Sequence, residues 1–196
     1  MGNREDLIAG ARRCLYEKGY EHTTARDIAS ASGTSLAAIG YHFGSKEALL
    51  KVALIEATQE WGAELERAVS TNLDPDASQE ERFRSTWTRV IESFSRHRDL
   101  WATHFRMLVH VENVPDEGKP FVGALQQGRE GLAHMLLDTE GMSDETVSRV
   151  GMVVHAMLTG VMAQWLVDPD HAPSADDLTE GMRAITHAIT RGGPHG

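Results

Sequence analysis

Thr24, Arg26, Tyr41, His42 and Lys46 fall in one stretch near the amino terminus. Each stands where a helix is expected to begin or end. Hydroxyls, cations and exposed amides at helix ends are groups that hold phosphates. The segment between them has few long charged side chains, so a helix there can lie close to a groove floor. The chemistry this suggests is recognition, not bond making. The chain has no Gly-rich phosphate loop, nucleophile elbow, paired acid/base signature or cofactor motif. No enzyme activity and no cofactor are therefore expected. His104, His110, His134 and His155 form no His-x-x-x-His or Glu-x-x-His pair, so no metal site is expected either.

Short helices must hold these groups. Leu7, Ile8, Ala11, Cys14 and Leu15 recur at spacings of three and four, the stripe of an amphipathic helix. Lys18 and Gly19 supply its last-turn cation and a left-handed cap. Thr23 or Thr24 caps a second helix, with Asp27 in its first turn and Ile28 and Ala29 inward. Gly33 makes a tight break. Thr34 or Ser35 caps a third helix to about His42, and Gly44-Ser45-Lys46-Glu47 ends it and starts a fourth. Two short helices joined across a Gly form a helix-turn-helix pattern. Cys14, the only cysteine, lies on the apolar stripe and reads as core rather than as a redox sensor.

Three ordered segments carry a family resemblance: Thr23-Thr24-Ala25-Arg26-Asp27-Ile28-Ala29, Gly33-Thr34-Ser35, and Ile39-Gly40-Tyr41-His42-Phe43-Gly44-Ser45-Lys46-Glu47-Ala48-Leu49-Leu50. Together they resemble the DNA-binding domain of TetR/AcrR-type transcriptional regulators over about the first 50 residues. The resemblance implies roles. Thr24 matches a phosphate contact at the start of the second helix, and Arg26 a position that reaches a base or a phosphate. Ser35, Leu36, Ala37 and Ala38 match the exposed start of the recognition helix. Tyr41 and His42 match its phosphate-facing end, Lys46 a backbone contact, and Ile39 and Phe43 core. Many members place Tyr at the position of Gly40, so that contact stays open between Gly40 and Tyr41. The recognition helix has no Arg, Asn or Gln to read bases. Leu36, Ala37 and Ala38 suit thymine methyls, and readout by DNA shape and Arg26 is expected to count for more.

The rest of the chain reads as an all-α body, making about nine helices in all. The expected domains are 1–51, a three-helix DNA-binding head, and 52–196, a larger ligand-binding and dimerisation domain. The formal net charge is −10. Residues 1–51 hold seven basic and six acidic residues, leaving 12 basic and 23 acidic for the body. A basic coat is excluded, and only the head suits phosphates. Trp61, Trp87, Phe94, Trp101, His104, Phe105, Leu108, Met135, His155, Met162 and Trp165 are the candidate lining of an adaptable ligand cavity. Gly151, Ala156, Gly160, Ala163, Gly181, Ala184 and Ala188 allow close helix approach. In the resembled family the last two helices, about 143–168 and 174–191 here, pair across a two-fold axis.

The expected function is a ligand-responsive transcriptional regulator, most often a repressor in this family. It would bind a palindromic DNA operator as a homodimer and be released by a small apolar or amphipathic effector. The alternative is an α-helical small-molecule binding protein or enzyme without DNA binding. A protein-partner adaptor shares the fold but does not explain Thr24, Tyr41, His42 and Lys46 together. The longest apolar stretch, Val150–Val167, is interrupted by Gly151, His155, Thr159, Gly160 and Gln164. No membrane span or signal peptide and a cytoplasmic location are expected.

Overall fold

A computed structural model describes residues 2–72, 76–110 and 119–191. Every regular element among them is an α-helix: α1 (Gly2–His22), α2 (Ala25–Ser32), α3 (Leu36–Phe43), α4 (Lys46–Asn72), α5 (Gln79–Arg96), α6 (Arg98–His110), α7 (Lys119–Leu136), α8 (Asp144–Val167) and α9 (Ala175–Arg191). The breaks expected at Asp74-Pro75, at Val114–Gly118 and at the Gly192-Gly193-Pro194 tail lie outside the described residues.

Local chemistry sets the first boundaries. Gly19, at φ 72° and ψ 174°, interrupts α1 in a backbone region that only glycine enters readily. Of the two threonines, Thr24 is the α2 cap: its hydroxyl accepts from the Asp27 N–H while the Asp27 carboxylate accepts from the Thr24 N–H. That is a capping box. Thr23 is buried instead, its hydroxyl donating to the Gly19 carbonyl at 2.6 Å. Gly33 closes α2 in the left-handed conformation at φ 66°. Ser35 caps α3 through the Ala38 N–H, and Ser45 caps α4 through the Ala48 N–H.

The chain forms two compact units, residues 1–63 with 97–124, and residues 64–96 with 125–196. These units do not follow a 51/52 boundary. α4 continues through that point as one helix, and α6 packs on α1. In the first unit α1 packs on α2, α3 and α6. Leu7, Ala11, Ile28, Leu49, Leu50 and Trp101 are buried in this unit. In the second unit α5 packs on α8 and α9, and its Thr86 hydroxyl meets the Met135 carbonyl of α7 at 3.5 Å. Trp87, Val90, Phe94, Leu136, Val154 and Leu158 are buried there.

One expected core placement differs. Phe43 is only half-buried, with the Arg4 guanidinium 5.4 Å from its ring centroid. On α9, Leu178 and Met182 are half-buried, but Ile185 is 53% and Ile189 72% exposed. The part of α9 beyond Met182 has run past its packing partner. α8 is one continuous helix despite its glycines, and an 18-residue window of it reaches a mean hydropathy of 1.6. By length and composition alone it is long and apolar enough to cross a membrane.

Candidate nucleic-acid interface

α3 presents Leu36, Ala37, Gly40 and Tyr41 to solvent at the spacing of one helix face, and buries Ile39 on the opposite side. Leu36 is 49% and Tyr41 86% exposed, unusual for apolar and aromatic residues on so short a helix. Ala38 is half-buried beside this face. His42 is half-buried, with Tyr41 edge-on to its ring at 4.9 Å between centroids. A Cβ added at Gly40 would meet nothing within 4 Å, so the face is open there. The result is a smooth face with one phenol at its end. No long side chain keeps it away from a flat surface.

The amino termini of α2 and α4 belong to the same unit as this face. At α2 the Thr24 hydroxyl donates to Asp27 at 2.6 Å and accepts from the Asp27 N–H, so it is already engaged. Lys18 pairs with Asp27 at 2.5 Å. This pairing, then the Thr24 hydrogen bonds, hold the Asp27 carboxyl well below the usual carboxylate range. The negative charge at the start of α2 is thus answered by a lysine. The Arg26 side chain is exposed and has no partner among the described residues. At α4, Lys46 points partly inward: its ammonium donates to the Thr23 carbonyl at 3.0 Å and lies 3.6 Å from Glu47. It ties the start of α4 to the α1–α2 corner.

The exposed groups of this unit that match the expected contacts are therefore Arg26, Ser35 and the 36/37/40/41 face of α3. Thr24 and Lys46 are engaged within the unit, tying the starts of α2 and α4. Sequence reasoning offered Thr24 as a cap but missed the tie made by Lys46. It also missed Arg13, whose guanidinium donates to the Ala31 carbonyl, and the close α1–α2 crossing at Gly10. Cys14 is buried, and that burial raises its thiol pKa.

The eleven residues expected to line a ligand cavity are divided between the two units. In the first, Trp61 meets Trp101 edge-to-face at 4.5 Å, and Trp101 meets His104 at 6.0 Å. Phe105 is half-buried, and the side chain of Leu108 lies outside the described residues. In the second, Phe94 meets Trp165 at 5.7 Å. Trp87 and Met162 are buried, and Met135 and His155 half-buried. Sequence reasoning passed over two polar side chains in these units. Thr103 is buried with its hydroxyl unpartnered, and Arg129 has a buried, unpartnered Nε. The Trp87 indole N–H is also buried without a hydrogen-bond partner. Among the described residues no group of three or more His, Cys, Asp or Glu side chains is arranged to hold a metal.

The described residues are all helical where regular, with a helix-turn-helix arrangement at the amino terminus. Residues 7–53 match the family described as bacterial regulatory proteins, tetR family. Residues 7–53 are thus similar to the amino-terminal domain of that family. It is 39% identical over 72 residues to the HTH-type transcriptional repressor AcnR of Corynebacterium efficiens, a match covering 37% of this chain and 36% of that repressor. The chain thus matches about a third of that relative's length. A longer match, 23% identical and covering 93% of this chain and 92% of the relative, is to the nicotine-responsive repressor HdnoR of Paenarthrobacter nicotinovorans. The crystal structure of Thermus thermophilus FadR with lauroyl-CoA superposes with a TM-score of 0.67 at 21% identity, covering 92% of this chain and 91% of that one.

Proposed function

We propose that this protein is a ligand-responsive transcriptional repressor that binds a palindromic operator as a homodimer. The observation that carries the reading is the smooth, exposed α3 face with Tyr41 at its end and an uncommitted Arg26 in the same unit. An α-helix fits the major groove, and the flanking cations and amides suit phosphates. Residues 1–51 form the DNA-binding part, and 52–196 bind ligand and dimerise. Ser35, Leu36, Ala37, Ala38 and Gly40 face the groove floor. Arg26, Tyr41 and His42 meet its walls. Thr24 and Lys46 hold the two helix starts in place. Similarity to the repressor AcnR and to the nicotine-responsive repressor HdnoR supports repression and response to a small molecule.

The effector is a small apolar or amphipathic molecule held in the body. α4 contributes residues to both compact units, as does α7, and α4 directly follows the head. An effector that shifts α4 changes the spacing of the two heads, by no more than its differential affinity for the two states allows. Exposed apolar faces on α8 and α9 support pairing of these helices between two copies in a cytoplasmic dimer.

The test is operator binding to the chain's own upstream DNA, measured by fluorescence anisotropy over a range of salt. Tyr41→Ala and Arg26→Ala remove exposed groups without touching the core. Each is expected to weaken binding and, for Arg26→Ala, to reduce the salt slope by about one. Unchanged affinity and slope in the double variant would remove the basis for this interface.

A further inference from the structure

α7 and α8 cross with no room to spare at Gly151. A Cβ there would lie 2.5 Å from the Arg129 carbonyl oxygen and 2.8 Å from its carbon. Only glycine lets the two backbones approach so closely. His155 follows one turn later on the same face of α8, half-buried and near enough to Arg129 for the guanidinium charge to act on its ring. Burial first, and then the Arg129 charge, lower the His155 pKa. Its imidazole is therefore neutral at pH 7 and offers one N–H.

Among the described residues no carboxylate answers Arg129. Its Nε is buried and unpartnered, and it has no ion pair among the described residues. Glu130 accepts from Gln126 at 3.2 Å and Glu145 pairs with Arg149 at 2.6 Å; neither forms an ion pair with Arg129. Arg89, on the α5 face that meets α7 near Thr86, has a buried, unpartnered Nε as well. A half-buried guanidinium costs free energy unless paired, and its planar fork matches a carboxylate. Apolar side chains share these helices: Leu132, Ala133 and Leu136 on α7, and Val154 and Leu158 on α8, are all buried.

We infer that Arg129 and His155 form an anion-recognition site for the carboxylate of a small organic acid with an apolar body. The guanidinium takes the carboxylate in a fork, and the His155 N–H aligns it. This inference rests on the reading of residues 52–196 as the effector-binding part and names the chemical class of that effector.

The experiment uses the full chain and two matched trios: 3-phenylpropionate, 3-phenylpropanol and 3-phenylpropylamine, then octanoate, octanol and octylamine. Binding is followed by tryptophan fluorescence and calorimetry. The acid of at least one trio is expected to bind roughly ten-fold or more tighter than its alcohol and amine. Arg129→Met is expected to bring the acid down to the level of the alcohol while leaving the alcohol unchanged. Arg129→Lys, which keeps the charge and loses the fork, is expected to fall between. Circular dichroism melting checks that each variant is folded. Equal binding within both trios, no acid binding at all, or an acid preference that survives Arg129→Met would overturn the site. Operator binding of the same preparations, expected to be unchanged in both variants without acid, tests the regulator reading separately.

Discussion

Thr24 shows how a residue expected to touch DNA can act by organising its own helix. Its hydroxyl and amide are both tied to Asp27, and Asp27 is tied to Lys18. Thr24→Ala is expected to cost about 1 kcal/mol of stability through the lost cap, read as a lower denaturant midpoint. Asp27 adds a pH dependence. Its folded pKa lies below the unfolded value of 3.8, so its contribution is complete above that pH and is lost as the pH falls through the folded pKa. Asp27→Asn is expected to be less stable than the parent at pH 7, with the gap narrowing below pH 3.8. Parallel melts at the two acidities would show it, and a gap independent of pH would contradict the Lys18–Asp27–Thr24 assignment. These caps are legible in the sequence because the partner lies three residues away. Lys46 is not: its acceptor, the Thr23 carbonyl, is 23 residues away and exists only once α1, α2 and α4 are assembled.

Among the elements, two glycines in helices make opposite demands. Gly10 sits where α1 crosses α2: a Cβ would lie 2.8 Å from the Ser32 Cβ and 2.9 Å from its backbone nitrogen. Gly10→Ala is expected to lose about 1–3 kcal/mol from overpacking, offset in part by a better helix residue. Gly40 faces open space in α3. Gly40→Ala is expected to gain about 0.5–1 kcal/mol, because the added methyl displaces no neighbour and the helix backbone loses less entropy on folding. Thermal melts of the two variants should move in opposite directions, and the same direction for both would count against the α1–α2 crossing. The helical stripes of α1, α4 and α5 are readable from spacing because the burial period equals the helix period. The close crossings at Gly10 and Gly151 are not, since glycine in a helix looks the same whether it faces a backbone or water. The ligand-lining set had the same weakness. Large apolar side chains mark interior positions, but Trp87, Phe94 and Trp101 are buried as packing, and the unpartnered Thr103 hydroxyl and Arg129 Nε lie on residues outside that set.

On the scale of the whole molecule, the unanswered demand is the apolar surface of α8 and α9. On α8, Met152, Val153, Ala156, Gly160, Ala163 and Val167 share one face; Val153 is 57% and Val167 87% exposed. On α9, Gly181, Ala184, Ile185, Ala188 and Ile189 share another, all exposed. Contiguous exposed apolar surface of this kind marks an interaction site, and its small residues permit close helix approach. A second copy is the occupant that also suits the head, because paired recognition helices must reach half-sites ~34–36 Å apart. Val153→Glu and Ile189→Glu change exposed positions, so each is expected to shift the monomer's own stability by only about 0.5 kcal/mol. Each is nevertheless expected to halve the mass measured by light scattering or sedimentation. Operator affinity should fall with it, because each monomer then holds one half-site alone, whereas binding to an isolated half-site should stay as it was. A variant that remains dimeric and keeps full operator affinity would place the interface elsewhere. A monomeric variant with undiminished operator affinity would separate DNA binding from dimerisation, and the palindromic operator would lose its physical reason.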